Sequence, residues 1–489
     1  MNFEKLNNEK LYINGRYQES QSNKWIEVEN PATGEILGRV PKASEEEINQ
    51  AVEAAYEAFK TFSKTSLEER ISYIEKFKDW MIAHQDEIIE TIKLELGVPI
   101  RIAKPGQFDK QMRRVDVFID QARKIDYRID MDGGYVRMEP IGVVASLTPW
   151  NYPLGQIIMK VIPALLMGCT VVQKPASDTP LTAYFVAKAF DEIGLPKGVF
   201  NLITGSGAQV GDILNSHPKV AMVSYTGSLA GGSSSAKHAM DTAKKVVLEL
   251  GGKSPAVFIK GADIKMGVKQ VLNRVYLNVG QTCSCLSRAI ITEDIYDDVI
   301  KEFIAQYDNY PVGDPDDPKT VVGTLAGKKQ FNRVKGFIEE GIKEGAKLLK
   351  GEIPQVSDKG YYVKPVIFTD VKSGMAIHDK EIFGPVVSIV KVKDKEEAIE
   401  VANAVDFGLS SAVFGNPEEA EEIAYQIKAG DVYLNSNGGS PELPFGGTKQ
   451  SGVGREGGKF GLIEYLEPKS IHTAWFLPTL AEFSGKNLY

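Results

Sequence analysis

Residues 221–240 read AMVSYTGSLAGGSSSAKHAM, and this order of residue types decides the fold class. Ala221 to Tyr225 is an apolar run typical of a buried strand, Gly227 to Gly232 is a glycine-rich turn, and a helix is predicted from there through Met240. A helix that starts after such a turn offers free backbone N–H groups and a positive dipole end to an anion such as a phosphate. One turn of this kind is weak support for a nucleotide site, because glycines also serve ordinary turns.

The flanking sequence predicts an α/β fold with a parallel sheet, because apolar runs of strand length alternate with helical segments. The predicted strands are 142–147, 170–173, 200–203, 221–225, 246–248 and 256–259, and the helices between them include 181–193 and 209–215. A second α/β region is predicted over 261–447, with strands near 289–291, 387–391 and 431–434. Before these regions, short strands in 12–40 precede amphipathic helices that run to about residue 125, the first capped by Ser44.

The length and composition of the chain limit the classes of protein to which it can belong. The chain has 489 residues, too many for one ordinary core, so two or three domains are expected. A net charge of -8 with dispersed Lys and Arg argues against nucleic acid as a partner. No apolar run approaches the roughly 20 residues that span a bilayer, and the polar N-terminus does not resemble a secretory signal. Three cysteines in this length fit a reducing cytoplasm.

Three polar residues are candidates for chemistry. Cys283 lies in a glycine-bounded turn, where a thiolate can act as a nucleophile, although a lone cysteine is more often a small buried apolar residue. Glu249 ends an apolar strand before two glycines, so partial burial would raise its pKa toward that of a general base, unless it is a solvated strand-end residue. Asn151 stands between Pro149 and Pro153, as a fixed amide donor or an ordinary Asx turn.

Two more strand ends are candidates for cofactor contacts. Gly205-Ser206-Gly207 follows a predicted strand but lacks the third glycine of the dinucleotide fingerprint. Lys174 ends another strand, where a ribose hydroxyl would lie in a doubly wound sheet, although a surface lysine is equally compatible with that position. No metal site is expected.

Taken in order, these motifs resemble the NAD(P)-dependent aldehyde dehydrogenases, in the hydrolytic rather than the acylating branch. The resemblance runs from about residue 11 to 473 and is carried by Pro149-Trp150-Asn151, Gly227 to Gly232, Glu249 to Lys253, Gly280 to Cys283, Glu381 to Pro385, Pro444 to Gly447 and Ser451 to Glu456. Several distinct motifs in one order are specific to that family.

The resemblance implies a catalytic role for each of the three candidates. Cys283 resembles the nucleophile that attacks the aldehyde carbon, giving a thiohemiacetal and, after loss of hydride to the nicotinamide, a thioester. The side chain of Asn151 and the backbone N–H of Cys283 resemble the oxyanion hole. Glu249 resembles the base that activates water to hydrolyse the thioester and also helps to deprotonate the thiol. The expected reaction is oxidation of an aldehyde to a carboxylic acid.

The same resemblance implies the cofactor and the residues around it. NAD is expected, with NADP as a second candidate, because Ser177 stands where strictly NAD-preferring relatives often carry Glu. Lys174 and Glu381 resemble the ribose-binding residues, Ser228 the pyrophosphate-contacting serine, and Trp150 the residue beside the adenosine. The predicted cofactor set is Trp150, Lys174, Ser177, Gly207, Gly227, Ser228, Gly232, Glu381 and Phe383.

The substrate tunnel implied by the resemblance is mostly apolar, which suggests aliphatic or aromatic aldehydes. Its predicted lining is Tyr152, Met159, Leu277 and Phe445. Gly439 leaves one wall without an aromatic side chain, which argues against a quaternary-ammonium aldehyde. Cys285, two residues after the nucleophile, suggests a protective Cys283–Cys285 disulfide, although a bridge so close in sequence is strained.

The resemblance also implies a division of the chain. A Rossmann-like cofactor domain is expected over 1–119 and 140–251, an α/β catalytic domain over 252–452, and a small β oligomerisation element from 120–139 with 468–489. Apolar residues near the end, Ile471, Trp475 and Phe476, suggest a homodimer or homotetramer. Two alternatives remain open: a cysteine hydrolase that pairs Cys283 with a histidine, and a non-catalytic scaffold.

Overall fold

The glycine turn does join a strand to a helix in the computed structural model, which describes residues 7–355, 360–436 and 438–473. In the first half of the chain the strands are β1 (Leu11–Ile13), β2 (Arg16–Gln18), β3 (Trp25–Glu29), β4 (Ile36–Pro41), β5 (Arg128–Met131), β6 (Gly134–Pro140), β7 (Val143–Leu147), β8 (Thr170–Lys174), β9 (Phe200–Leu202), β10 (Val220–Thr226) and β11 (Lys245–Glu249).

In the second half the strands are β12 (Pro255–Phe258), β13 (Arg288–Thr292), β14 (Lys347–Lys350), β15 (Val366–Thr369), β16 (Val386–Val392), β17 (Phe407–Gly408), β18 (Ser410–Phe414), β19 (Asp431–Leu434), β20 (Thr448–Lys449), β21 (Gly452–Val453) and β22 (Leu466–His472). The strands predicted around 142–259 and 289–434 are therefore confirmed to within a few residues.

The α-helices of the first half are α1 (Glu45–Phe62), α2 (Leu67–Ala83), α3 (Gln85–Leu96), α4 (Ile100–Ile102), α5 (Lys110–Arg123), α6 (Pro153–Leu166), α7 (Leu181–Glu192), α8 (Asp212–Ser216) and α9 (Leu229–Met240). Those of the second half are α10 (Ile264–Tyr276), α11 (Tyr296–Tyr307), α12 (Lys328–Lys343), α13 (Ala376–Asp379), α14 (Lys395–Asn403), α15 (Pro417–Gln426) and α16 (Gly458–Ile463). π-helical turns occupy Ala103–Asp109 and Gly207–Gly211, and a 3-10 turn occupies Leu277–Gly280.

The first sheet is a doubly wound sheet of order β2-β1-β9-β8-β7-β10-β11-β21. Its five central strands are parallel to one another, in the order β9, β8, β7, β10 and β11. Strand β1 pairs antiparallel with β9 on one side, and β21 pairs antiparallel with β11 on the other. The chain winds outward from β7 through β8 to β9 and then returns to β10 on the other side of β7. The switch in strand order between β7 and β10 is where ligands bind in such sheets, at the carboxyl ends of the strands.

The second sheet has the order β14-β15-β16-β13-β12-β18-β19 and is parallel except for β14 at its edge. A separate antiparallel sheet of order β22-β6-β5 joins residues 128–140 to 466–472. The α/β fold class is thus confirmed. The proposed domain limits stay predictions, and Trp475 and Phe476 lie outside the described residues.

Three apolar clusters hold these layers together. One packs helices such as α2, α5, α6 and α7 on one face of the first sheet, another packs α1, α8 and α9 on its opposite face, and the third surrounds the second sheet. Helix α6 is buried along nearly its whole length. A helix that is apolar on every side belongs in a core, so α6 gives the adjoining loop Pro149–Tyr152 a rigid base. Among the described residues no helix is long and apolar enough to cross a membrane.

Candidate active site

The predicted motifs follow directly after neighbouring strands, at the carboxyl ends of the parallel strands of the first sheet. Leu147 at the end of β7 pairs with Lys174 at the end of β8, and Thr226 at the end of β10 pairs with Glu249 at the end of β11. The segments that follow these strands therefore emerge side by side at the switch point. Glu249 also pairs with Gly452 of β21, which brings the late motif at 451–456 to the same edge.

The loop that carries Cys283 is held in an unusual conformation after α10. Asn278 and Val279 adopt φ of 56° and 57°, a region that β-branched residues rarely enter. The Asn278 side chain donates hydrogen bonds from Nδ2 to the backbone carbonyls of Asn151 (2.9 Å) and Gln281 (3.1 Å). Gly280 has φ of 70° and lies against the backbone of Gly384, where a Cβ would not fit. The loop is therefore positioned by contacts with two of the other motifs.

Asn151 lies next to this loop and is buried. Its Nδ2 donates to the carbonyl of Gln281 at 2.8 Å, and its own backbone carbonyl accepts from Gln107 Nε2 at 3.2 Å. A side-chain amide has two N–H donors, so one remains for another acceptor. Asn151 is thus fixed beside the Cys283 loop with a donor to spare.

Cys283 is half-buried with a free thiol. Burial, together with the carboxylates of Glu249 and Glu381, raises the pKa of this thiol well above its usual range. The backbone N–H groups of Ser284 and Cys283 act in the opposite direction, because they donate to the sulfur and lower the thiol pKa. The thiol therefore needs a base to lose its proton, and two carboxylates are close enough to influence it.

Glu249 is 2% exposed, and both of its carboxylate oxygens lack a hydrogen-bond partner within the described parts of the chain. A Cβ on Gly446 would lie 2.5 Å from Oε1, so the carboxylate occupies the space that this glycine leaves. Burial and the nearby carboxylate of Glu456 raise the pKa of Glu249 well above its usual value. A buried carboxyl group with a raised pKa and no fixed partner has the properties of a general base.

Lys160 and Glu456 form a buried ion pair near Glu249. The sequence alone did not lead us to this pair. The ammonium group of Lys160, in α6, contacts Glu456 Oε1 and donates to Ser224 Oγ at 3.1 Å. Glu456 raises the pKa of Glu249, whereas Lys160 lowers it. Lysine is rarely fully buried without a partner. The lysine in the otherwise apolar run 157–167 was the signal that could have found this pair.

Glu381 and Phe383 come to the same place from the loop before β16. Glu381 Oε1 accepts a hydrogen bond from Gly252 N at 2.9 Å, and a Cβ on Gly251 would lie 2.5 Å from Oε2. The ring of Phe383 meets the ring of Trp150 edge to face, with centroids 5.4 Å apart. Trp150 therefore lies beside the 381–385 loop, and its predicted place beside an adenosine is not tested by this contact.

The glycine turn at 227–232 caps α9. Ser228 is the N-cap of that helix, and its Oγ accepts from Gly231 N at 3.2 Å. Gly227 N donates to the carbonyl of Glu249 at 3.0 Å, which ties the turn to the end of β11. Gly232 lies against Leu250, which would be 2.5 Å from a Cβ. The glycines thus allow strand and helix to approach, and they leave the helix N-terminus exposed.

Lys174, Ser177 and Gly207 form a separate group at the next two strand ends. The Lys174 ammonium is buried and donates to the carbonyl of Pro175 at 3.1 Å, and burial lowers its pKa to about 8. Ser177 Oγ donates to the carbonyl of Gly205 at 3.2 Å. Gly207 is exposed with open space around it. Strands β7 and β10 lie between this group and Glu249.

The predicted substrate residues fall on different sides of the Cys283 loop. The hydroxyl of Tyr152 shares a hydrogen bond of 2.9 Å with Oγ1 of Thr282, directly before the nucleophile. Met159 and Phe445 both border Gly457, where a Cβ would lie 3.7 Å from Met159 Cε and 3.8 Å from Phe445 N. Leu277, at the end of α10, is partly buried against the second-sheet core. Their tunnel role stays a prediction.

Cys285 lines a small cleft between these loops together with Gly252, Thr282, Glu381 and Phe383. Its side chain is buried in the core of the second sheet, and burial raises its pKa to about 12. The two thiols are unbridged here. The hypothesis of a Cys283–Cys285 disulfide stays a prediction.

Known proteins match this chain over nearly all of its length. The model of the aldehyde dehydrogenase family matches residues 17–471. Putative aldehyde dehydrogenases of Staphylococcus aureus and Staphylococcus saprophyticus are 41% and 40% identical to it over 465 residues, which are 94% of this chain and 98% of each relative.

Solved structures agree with the sequence comparison. A variant of aldehyde dehydrogenase C from Pseudomonas syringae, in complex with NAD+ and octanal, is 39% identical and superposes with a TM-score of 0.93, covering 95% of this chain and 97% of its own. A betaine aldehyde dehydrogenase of Staphylococcus aureus in complex with NAD+ is 33% identical with a TM-score of 0.92, covering 95% and 97%. With the motifs at one sheet edge, these matches lead to one assignment: the chain belongs to the aldehyde dehydrogenase family.

Proposed function

We propose that this protein oxidises an aldehyde to a carboxylic acid with reduction of NAD, through a thioester on Cys283. The observation that carries the proposal is the placement of one thiol beside an unpartnered buried carboxylate, Glu249, and beside a fixed amide, Asn151. Nucleophile, base and oxyanion donor are the three groups that acyl chemistry at a carbonyl requires.

The first step uses the thiol and the amide. The Cys283 proton passes to Glu249, the sulfur bonds to the aldehyde carbon, and the carbonyl π electrons move to oxygen. The spare N–H of Asn151 and the backbone N–H of Cys283 are suited to donate to that oxyanion. The oxyanion is the electron source for loss of hydride from the same carbon, which leaves the acyl group on sulfur.

The surroundings of the motifs fit NAD. An exposed helix N-terminus at Ser228 suits the pyrophosphate, the spare hydrogens of Lys174 suit ribose hydroxyls, and the carboxylate of Glu381 suits the second ribose. NAD, when bound, supplies the acceptor for the hydride. NADP is proposed as a second cofactor, because Ser177 places no carboxylate where a 2′-phosphate would be repelled.

The second step hydrolyses the thioester. Glu249 first releases the thiol proton of the first step to solvent, which supplies the one proton of the net reaction. It then takes a proton from water as the water oxygen bonds to the acyl carbon, and the Cys283 sulfur leaves with the bonding electrons and regains that proton from Glu249. The net result is a carboxylic acid, reduced NAD and one proton. The buried pair Lys160–Glu456 is suited to adjust the charge on Glu249 as that proton arrives and departs, since the two members shift its pKa in opposite directions.

Substrate, assembly and location form the remaining parts of the proposal. The apolar residues Met159, Leu277 and Phe445 and the ring of Tyr152 suit an apolar aldehyde chain, and one structural relative was solved with octanal. A homodimer or homotetramer is proposed through the β22-β6-β5 sheet, whose edge strand β5 exposes Ile129 and Met131. The free thiols of Cys169, Cys283 and Cys285 support a reducing compartment such as the cytoplasm.

The test is an assay of the wild type with NAD or NADP and a panel of aldehydes, following absorbance of the reduced nicotinamide. Reduction that is lost in Cys283→Ser and retained in the control variant Cys285→Ser is the expected result. Equal activity in Cys283→Ser and the wild type, or ester cleavage with no nicotinamide reduction, would contradict the proposal.

A further inference from the structure

Four basic side chains lie at the start of α5 and the end of α10. Three belong to the first turns of α5, and Arg274 belongs to α10; together we call Lys110, Arg113, Arg114 and Arg274 the basic cluster. Loss of water around its ammonium group, and the positive charges of the other three members, lower the pKa of Lys110 to about 8. The charges of Arg113, Arg114 and Arg274 therefore act on Lys110, although Arg274 belongs to another helix and the side chains of Lys110 and Arg113 are exposed.

Arg114 is the member closest to the chemistry. Its Nη1 donates to Gln111 Oε1 at 2.8 Å, and the Gln111 carboxamide lies 2.9 Å from where a Cβ of Gly155 would be, in the first turn of α6. That turn follows directly after Asn151 and Tyr152. The charge of Arg114 acts on the Tyr152 hydroxyl and interacts with Cys283. The Arg114 guanidinium is therefore tied through Gln111 to the first turn of α6, and its charge reaches the Tyr152 hydroxyl.

The basic cluster has no carboxylate paired to it in the described parts of the chain. None of its four members forms an ion pair there. The two acids whose charges reach it have other partners: Glu456 is paired with Lys160, and Asp431 accepts from Ser410 Oγ at 3.4 Å and also faces Arg455. Arg114 uses one of its five N–H donors, so the rest are available to an acceptor that enters from outside.

The same region is unsuited to a cationic substrate. The guanidinium of Arg274 already covers the ring of Tyr433, 3.9 Å from its centroid. Gly439 lies against that ring, where a Cβ would be 3.1 Å from Cε1. The ring of Tyr433, which contacts the basic cluster, is thus occupied by a cation of the protein itself. The positive charge of the basic cluster and the occupied ring of Tyr433 both favour a negatively charged ligand.

We propose that the aldehyde oxidised here carries a carboxylate at its far end, which binds to the basic cluster through Arg114. This inference rests on the proposed function and specifies its substrate class. The planar guanidinium matches a carboxylate in a two-bond arrangement, and charge-assisted bonds of that kind are among the strongest that a side chain makes. The apolar residues of the tunnel then hold the methylene chain between the two ends.

The experiment compares matched pairs of aldehydes on the purified full chain with NAD. Each pair has one chain length: butanal with succinic semialdehyde, pentanal with glutaric semialdehyde, and hexanal with adipic semialdehyde. Values of kcat and KM are measured for the wild type, Arg114→Gln, Arg114→Lys and the control Lys124→Gln. Lys124 directly follows α5 at the end far from the cluster, so its variant removes one positive charge from the same part of the fold.

For at least one chain length, the wild type is expected to prefer the carboxylate-bearing aldehyde in kcat/KM. Arg114→Gln should lower kcat/KM for that aldehyde about 10- to 100-fold more than for the neutral partner, mainly through KM. Arg114→Lys should recover part of the preference, and Lys124→Gln should leave it unchanged.

Two results overturn the inference, and they are distinguishable. If neutral aldehydes are oxidised through Cys283 but no chain length shows a carboxylate preference that depends on Arg114, the inference fails and the proposed function stands. If no aldehyde of either kind reduces NAD, the proposed function fails and this inference fails with it.

Discussion

At the scale of single residues, the buried carboxylate of Glu249 carries the chemical argument. It has no hydrogen-bond partner among the described residues, and its burial and the nearby carboxylate of Glu456 raise its pKa. A protonated Glu249 cannot take a proton from water, so the rate of thioester hydrolysis should rise with pH through the raised pKa. The acid limb of kcat is therefore expected above the usual Glu value of 4.5.

Glu249→Gln separates the two halves of the reaction. Thiohemiacetal formation needs Glu249 only to take up the thiol proton, which solvent base can also remove, so this half should be slowed but completed in the variant, whereas hydrolysis needs Glu249 in every turnover. Rapid mixing with NAD and an aldehyde should give a burst of about one reduced nicotinamide per active site, then a steady rate lower by about 10²- to 10⁴-fold. The exposed Glu293→Gln is the control. If Glu249→Gln showed no burst and kept the steady rate of the wild type per active site, Glu249 would not be the base for hydrolysis.

Asn151→Ala should slow the burst itself. Removal of one oxyanion donor costs about 10²- to 10³-fold. The carbonyl of Gln281, which Asn151 contacts, keeps the hydrogen bond from Asn278, so the loop retains a tie in the variant. Stopped-flow absorbance of the variant, with exposed Asn309→Ala as control, measures the effect. A burst rate within about threefold of the wild type would remove Asn151 from the oxyanion hole.

The catalytic residues are those that a sequence can reveal, because each stands in a local motif of distinctive composition. Cys283, Glu249 and Asn151 were all recognisable from a few neighbouring residues. Lys160–Glu456 and the basic cluster were not, since Lys160 is distant in sequence from Glu456 and Arg274 is distant from the three basic residues of α5, and these charges meet only when the helices pack. Charges whose meaning depends on burial cannot be assigned from residue type alone.

At the scale of elements, helix ends hold the site in place, and one of them is sensitive to pH. Glu95 of α3 is buried and accepts hydrogen bonds from Leu181 N at 2.8 Å and Thr182 N at 3.1 Å at the start of α7. Burial raises its pKa from 4.5 to about 7, because the loss of water outweighs those hydrogen bonds. The folded state therefore keeps a proton between pH 4.5 and 7 that the unfolded state has lost.

The stabilising effect of that proton is complete below about pH 4.5 and is lost as pH rises through about 7. Glu95→Gln has no such proton to lose. Its stability relative to the wild type should therefore increase from pH 5 to pH 8, by at most roughly 3 kcal/mol. Thermal unfolding at both pH values, with Glu87→Gln of the same helix as control, measures this. The opposite sign would mean that Glu95 is ionised throughout.

Helices and strands could be predicted from the sequence where the local signals agreed with one another. Ser44 was predicted as an N-cap, and it forms a full capping box with Glu47. The strands at the first sheet were found because fully buried parallel strands are continuous apolar runs. The left-handed conformations of Asn278 and Val279 were not foreseen: asparagine enters this region more often than most residues, but the β-branched Val279 rarely does. They are imposed by the contacts of the Cys283 loop with Asn151 and Gly384.

At the scale of the whole molecule, the small sheet β22-β6-β5 stands apart from the two large ones. Strand β5 is exposed at all four residues, including Ile129 and Met131, which are 42% and 64% exposed. An edge strand with exposed apolar side chains is a site for pairing with another chain. This agrees with the proposed homo-oligomer.

The double variant Ile129→Lys/Met131→Lys should lower the oligomeric state, because charges at a pairing edge oppose association. Light scattering coupled to size-exclusion chromatography should report a multiple of the chain mass for the wild type and a smaller multiple for the variant. Ile36→Lys, at a residue 54% exposed on β4, is the matched control. A monomeric wild type, or an unaltered mass in the double variant, would remove this sheet from the interface.

The most direct test of the whole account is the identity of the residue that carries the acyl group. Glu249→Gln is mixed with NAD and a simple aldehyde, quenched in acid and digested, and its cysteine peptides are analysed by mass spectrometry. The account predicts an acyl group on Cys283 in an amount equal to the burst, and none on Cys169 or Cys285. Reduction of NAD with an unmodified Cys283, or with the acyl group on another cysteine, would contradict it.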